Sequence, residues 1–230
     1  MTDLPRLATI DALVQAVDLK RKRVIDVGAG DGNMARAMAG HGAHVLGVEC
    51  APQQLARANA AAKTADERYV EGVGEALPAP DASVDLVVFI NSLHHVPVEG
   101  QGKALAEAAR VLAPGGLLYI AEPLAEGAMF DLTQPVNDET AVRAAAYARI
   151  REAASHGLEQ IWEKVHLMVR RLSTLDALRD QMLAVDPDRA PLFARHDAEL
   201  RRRFDAIPLG PFNMRQVEQP IRVNLLRKVA

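Results

Sequence analysis

A short apolar strand that runs into a cluster of glycines constrains this chain more than any other feature. Val24-Ile25-Asp26-Val27 is followed at once by Gly28-Ala29-Gly30-Asp31-Gly32, and a helical stretch opens at Asn33. Glycine admits positive φ and lets a ligand lie against the main chain. The helix start beyond it offers free N–H groups and a partial positive charge. This unit needs parallel neighbours, and the chain supplies them. Strand patterns recur at His44–Val48, Arg68–Val70, Val84–Ile90 and Leu117–Ala121, separated by helical patterns at 33–39, 52–62 and 103–112. Short, nearly continuous apolar strands alternating with helices predict an α/β fold: a parallel sheet covered on both faces.

After Pro123 the pattern changes. Helices are expected at 138–154, 175–185 and 189–204. Ile161–Leu172 is open between strand and helix and reads better as a strand, because Ser173-Thr174-Leu175-Asp176 looks like a fresh helix start, and Ile221–Leu226 reads as the last strand. At the other end, Thr9 caps an expected helix from Ile10 to Val17. The expected division is a lid helix over residues 1–19, a cofactor-binding core over 20–123, and a region over 124–230 holding substrate-cap helices and the strands that complete a seven-stranded, mostly parallel sheet, its last strand antiparallel. A chain of 230 residues has room for that elaboration. Hydrophobic residues make up 49%, which excludes disorder. The net charge of −3 gives no electrostatic case for nucleic acid, and no run of about 20 apolar residues suggests a membrane span. The single cysteine, Cys50, is expected as a buried thiol, and the protein as soluble and cytoplasmic.

The ligand can be narrowed by chemistry. A dinucleotide fingerprint starting at Gly28 requires glycine at position 33, where this chain has Asn33. An acid, Asp26, stands two residues before the first glycine; it would repel a pyrophosphate and suit a cationic amine. A second acid, Glu49, ends the second strand and can accept two hydrogen bonds from a ribose diol. An amine, a carboxylate and a ribose in one ligand describe S-adenosylmethionine.

Three stretches carry a resemblance to a family: Val24–Gly32, then Glu75-Ala76-Leu77-Pro78-Ala79-Pro80-Asp81-Ala82-Ser83-Val84-Asp85, then Arg110-Val111-Leu112-Ala113-Pro114-Gly115-Gly116. In this order they resemble the class I, Rossmann-like S-adenosylmethionine-dependent methyltransferases, in the small-molecule branch often called type 11. The resemblance covers residues 20–123. It implies that Gly28, Gly30 and Gly32 line the methionine part of the cofactor while Asp26 helps hold its amine. It further implies that Glu49 binds the ribose hydroxyls, that Gly74 offers its N–H near the adenine with Glu75 beside it, and that Asn91 and Ser92 lie near the methyl group. Asp31 sits where the family often has a hydroxyl residue. Val73 is a departure, since the family commonly has an aspartate there on the adenine amino group; Glu75 is the candidate replacement.

The expected activity is methyl transfer to a small organic molecule, leaving S-adenosylhomocysteine. His94 and His95, just past the fourth strand, are the candidate bases for an acceptor that carries a proton. No metal is expected: His41 and His44 lack companion ligands. The Asn-Pro-Pro-Tyr type of signature and a Pro-Cys nucleophile are both absent, for Asn91 precedes Ser92-Leu93-His94 and Cys50 follows Glu49. Met129, Phe130, Tyr147 and Trp162 are candidate acceptor walls, and Arg143, Arg170 and Arg171 candidate anion contacts. Lys20–Arg23 and Arg201–Arg203 read as solvated charge runs. The competing readings are a non-catalytic protein that keeps the cofactor pocket and a nicotinamide-dependent oxidoreductase.

Overall fold

The computed structural model describes residues 4–229; residues 1–3 of the expected N-terminal lid lie outside them. The elements come in the order α1 (Thr9–Ala16), β1 (Arg23–Val27), α2 (Asn33–Gly40), β2 (His44–Glu49), α3 (Pro52–Ala60), β3 (Asp66–Glu71), β4 (Val84–Ile90), α4 (Gln101–Val111), β5 (Leu112–Pro123), α5 (Ala128–Thr133), α6 (Thr140–Arg151), β6 (Leu158–Leu172), α7 (Leu175–Leu183), α8 (Ala190–Asp205) and β7 (Arg215–Lys228). The seven strands form one mixed sheet in the order β3-β2-β1-β4-β5-β7-β6. Pairing is parallel for β2 with β3, β1 with β2, β1 with β4, and β4 with β5. The chain therefore winds outward from β1 to β3 and returns to the other side of β1. That reversal between β1 and β4 is a switch point, and ligands of such sheets collect at the carboxyl ends of the strands there.

Contacts divide the chain into two units. The larger comprises Thr9–Glu122, Val142–Val165 and Arg222–Ala230. Its core joins strand residues Ile25, Val27, Val48, Val87, Phe89, Leu118 and Ile120 to Leu105 and Ala108 of α4 and Ala146 and Ile150 of α6. Pro114-Gly115-Gly116 is a bulge inside β5: the register against β4 jumps between Val84 and Leu86, with Gly115 at φ +76°.

The second unit comprises Met1–Ala8, Pro123–Ala141 and His166–Ile221. Its core gathers Met129 and Leu132 of α5, Leu175 and Leu178 of α7, Phe193, Leu200 and Phe204 of α8, and Val217 of β7. Thr174 caps α7, its hydroxyl oxygen accepting from the Ala177 N–H at 3.0 Å. Replacing Thr174 by alanine is expected to lower stability by about 1 kcal/mol, read as a shifted denaturant midpoint.

Three expectations are corrected. Cys50 is exposed; it follows the last residue of β2, where the chain leaves the sheet toward α3. The short α5 lay in no expected helix. Strand β7 runs well past the apolar stretch that announced it, and β6 begins three residues before its expected start, because the added residues include charged ones. Among the described residues, no helix is long and apolar enough to cross a membrane.

Candidate functional site

The carboxyl ends of β1, β2 and β4 bring Asp26, Gly28, Gly30, Glu49 and Ser92 into one place. The register sets Asp26 beside Gly47 of β2 and Val88 of β4. Gly28 turns at φ +73°, and the N–H groups of Gly28 and Ala29 donate to the Val48 carbonyl at 2.8 and 3.1 Å. The turn is thereby tied to the neighbouring strand.

The glycines have different reasons. A Cβ on Gly28 would lie 2.6 Å from the Ser92 Cβ, so glycine there lets β1 and the loop after β4 close together. A Cβ on Gly32 would lie 2.5 Å from the Tyr69 hydroxyl, which donates to the Gly32 carbonyl at 3.1 Å. Gly30, at φ +58°, has nothing within 4 Å of where a Cβ would stand, so its backbone faces open space. Replacing Gly28 by alanine combines a left-handed backbone with a side-chain collision. It is expected to destabilise the protein by roughly 1–3 kcal/mol, measurable by chemical denaturation.

The two acids differ in their satisfaction. Glu49 is buried, and its carboxylate accepts from the Gly30 N–H at 2.7 Å and the Ala51 N–H at 2.8 Å. Asp26 is 2% exposed, and its Oδ2 has no hydrogen-bond partner among the described residues. Burial, and then the charge of Glu49, push its pKa up to about 7. A buried, unpartnered carboxylate oxygen is destabilising unless something supplies a donor. This set of acceptors fits an amino-acid nucleoside. Asp26 can take an ammonium group, the open Gly30 backbone can lie along the chain, and Glu49 has acceptor capacity left for a diol.

The loop from Gly72 to Ser83 joins β3 to β4 without a helix. Gly74 lies buried in it and closely packed: a Cβ would stand 3.3 Å from both Val27 and Ala104, which would have to give by a few tenths of an ångström. Glu75 sits against Gly100 and also bears electrostatically on Cys50. Val73 is 44% exposed. Arg110 of α4 clamps the loop. It donates to the Leu77 carbonyl (3.0 Å), the Ala79 carbonyl (2.9 Å) and Asp81 (2.7 Å), while also pairing with Glu107, which accepts from the Leu77 N–H at 2.8 Å.

Past β4, Asn91 turns the chain at φ +53°. The Ser92 hydroxyl donates to the Val27 carbonyl at 2.6 Å. His94 is buried and His95 exposed, with ring centroids 4.1 Å apart. A residue that the motifs did not single out organises this loop. Glu122, buried near the end of β5, accepts from the N–H groups of Ser92 (3.2 Å) and Leu93 (2.9 Å), and its other oxygen meets Nδ1 of His94. Its only signal in the sequence is positional: like Asp26, it is an acid at the carboxyl end of an apolar strand.

The remaining candidates fall elsewhere. Met129 is core in the second unit, and Phe130 is half-buried there. Tyr147, in the larger unit, lies under the Arg222 guanidinium at 3.7 Å and donates to Glu163. Trp162 is half-buried, with the Lys164 ammonium 4.9 Å from its ring centroid. Arg143 and Arg170 are half-buried and Arg171 is exposed. Arg201 and Arg203 pair along their own helix with Asp197 and Glu199. His41 and His44 are exposed, with His44 2.5 Å from Asp66. Arg23, from the basic run before β1, pairs with Asp85 at 2.8 Å.

Known proteins resemble this chain in part of its sequence and in its fold. Residues 25–120 match the family described as Methyltransferase domain. A curated relative, the 27-O-demethylrifamycin SV methyltransferase of Amycolatopsis mediterranei, is 40% identical over 105 residues, covering 44% of this chain and 38% of that protein. The chain spans half or less of the length of the curated relatives first matched. Among solved structures, YcgJ of Bacillus subtilis superposes with a TM-score of 0.66 at 19% identity, covering 96% of this chain and 98% of that one. The [4+2]-cyclase SpnF gives 0.63 at 20% identity, covering 96% and 80%. At such identities the structures establish the fold, and the sequence match is confined to residues 25–120. Residues 25–120 of this chain match the methyltransferase-domain family, in keeping with the class I, type 11 resemblance that its motifs carry.

Proposed function

We propose that the protein transfers a methyl group from S-adenosylmethionine to a small organic acceptor, leaving S-adenosylhomocysteine. The observation that carries this reading is the unpartnered oxygen of buried Asp26 beside the open Gly30 backbone, with Glu49 one strand over. The relatives support a small acceptor; their names include rifamycin, ubiquinone and tocopherol methyltransferases. The mildly acidic charge suits such a molecule better than nucleic acid, and a single cysteine suits a cytoplasmic enzyme. A nicotinamide ligand is not favoured, because Asn33 opens α2 where that fingerprint requires glycine.

The bound sulfonium supplies a methyl group already activated for transfer. The chain's part is to hold, align and dehydrate. Asp26 is placed to accept hydrogen bonds from the cofactor's ammonium, Glu49 to grip the ribose, and Gly28 and Gly30 to give close backbone approach. Ser92, fixed to Val27, keeps the loop after β4 in place. Alignment of this kind supplies up to roughly 7–11 kcal/mol of barrier reduction. His94 or His95 takes the acceptor's proton where there is one.

Calorimetry with S-adenosylmethionine, S-adenosylhomocysteine and NADH tests the ligand class. The two sulfur nucleosides should bind and raise the melting temperature, and NADH should do neither. A labelled-methyl assay over a panel of phenols, amines and acids then tests transfer. Binding of NADH with silence from both sulfur nucleosides would reject the reading.

A further inference from the structure

We propose that the hairpin between α8 and β7, together with the outer face of α8, docks on an anionic lipid surface. This goes beyond the methyl-transfer reading and does not depend on it. All the residues concerned lie in the second unit. Leu209 bridges to Arg215, and the Gly210 N–H donates to the Met214 carbonyl at 2.8 Å, which closes a tight hairpin with Pro211-Phe212-Asn213 at its tip. Phe212 and Asn213 both take left-handed backbone, at φ +59° and +57°. Asparagine tolerates that region; a bulky residue rarely enters it. Phe212 is nevertheless 86% exposed, and Leu209 is 59% exposed, so packing within the fold does little to offset the strain. The hairpin displays the ring instead of burying it. Arg215 fastens the hairpin to the end of α8. Its guanidinium donates to the Ile207 carbonyl and to the Asp205 carbonyl (3.3 Å), and lies 5.0 Å from the centroid of the Phe204 ring.

The unpaired charge on α8 has one sign. Its acids Asp197, Glu199 and Asp205 pair with Arg201, Arg203 and Arg215. Arg195 and Arg202 are exposed, with no ion-pair or hydrogen-bond partner among the described residues. They stand about two turns apart on one side of the helix, opposite the buried Phe193, Leu200 and Phe204. Charge and size together choose the occupant. A stable contact with a protein or a second copy buries about 800 Å² on each side. One phenylalanine ring offers only roughly 150–250 Å². A bilayer interface takes up single side chains, because its headgroups and acyl chains rearrange around them. Free guanidiniums complement its anionic headgroups, and the ring sinks below them.

Co-sedimentation of the full chain with lipid vesicles tests this. The protein should bind vesicles of phosphatidylcholine with about one-third phosphatidylserine, ignore vesicles of phosphatidylcholine alone, and come off as salt rises. Phe212→Asn should weaken binding by about tenfold or more. Its melting temperature should match or exceed that of the wild type, since asparagine suits the tip's backbone. Arg195→Gln combined with Arg202→Gln should also weaken binding by about tenfold or more. Phe212→Trp should keep binding, and the fluorescence it adds should be quenched by brominated acyl chains. Absent binding to the anionic vesicles overturns the proposal, as does binding that ignores lipid charge. Wild-type binding by Phe212→Asn, or an unquenched Phe212→Trp signal in bound protein, overturns it too. A lower melting temperature for Phe212→Asn would mean that the ring serves the fold, against the proposal. Self-association that Phe212→Asn abolishes, with no vesicle binding, would give the tip to a second copy instead.

Discussion

Replacing Glu49 by alanine is expected to weaken S-adenosylhomocysteine binding by about a hundredfold or more, since hydrogen bonds to a charged group contribute about 1.5–3 kcal/mol each. The carboxylate is buried at the end of β2 and serves two purposes at once. It receives the Gly30 and Ala51 N–H groups, which shape the glycine turn and the entry to α3, and in the proposed function its remaining acceptor capacity serves the ribose. Removing it loses the sugar contact and leaves two backbone donors to find water. Calorimetry of the variant reads the affinity, and circular dichroism checks that the fold survives. An affinity within about threefold of wild type would remove Glu49 from the cofactor site.

Asp26 makes both binding and stability depend on pH. Its pKa is raised from 3.8 to about 7, mainly by burial and then by Glu49, so the fold favours its protonated form. Its contribution to stability is therefore fully present below about pH 4 and is lost as pH rises through 7. The gap between those values corresponds to roughly 4 kcal/mol at its limit. The ligand-free protein should accordingly lose stability across this window, and Asp26→Asn should flatten the profile. Binding runs the other way, because an ammonium needs the ionised carboxylate. S-adenosylhomocysteine affinity is expected to rise about tenfold from pH 6 to pH 8, with a proton released at the lower pH. Asn at this position should abolish both the slope and the proton release, measured as buffer-dependent heats. A wild-type affinity independent of pH would show that Asp26 does not meet the ammonium.

The half of the molecule from β1 to β5 was legible because its signals are local. Buried parallel strands read as apolar runs, and the turn after Val27 announces itself by three glycines. Strands β6 and β7 were read short for the opposite reason. Glu159 and Gln160 before Ile161, and Arg215, Gln216 and Glu218 before Ile221, interrupt any apolar run, so only the stretches after them stood out. Helix α5 has six residues, too few to show a period. Within the site, the order of motifs predicted which strand ends converge, but no motif contains Glu122. Its importance comes from contacts across about thirty residues of sequence, with Ser92, Leu93 and His94, and separations of that kind leave no spacing to read. The exposure of Cys50 was missed because an apolar neighbourhood in sequence says nothing about which way the chain turns after a strand ends.

Arg110 has a consequence for how the loop between β3 and β4 opens. The segment from Gly72 to Ser83 has no helical ladder of its own, and much of its order is lent by one guanidinium and the Glu107 carboxylate next to it. Such a segment comes loose as one cooperative piece when its clasp lets go, well before the sheet beneath it yields. Amide exchange along it should share a single opening free energy. Gly74 and Glu75 ride on that piece, so in the proposed function admission of the nucleoside's base would be governed from the opposite side of the loop, by the helix residue Arg110.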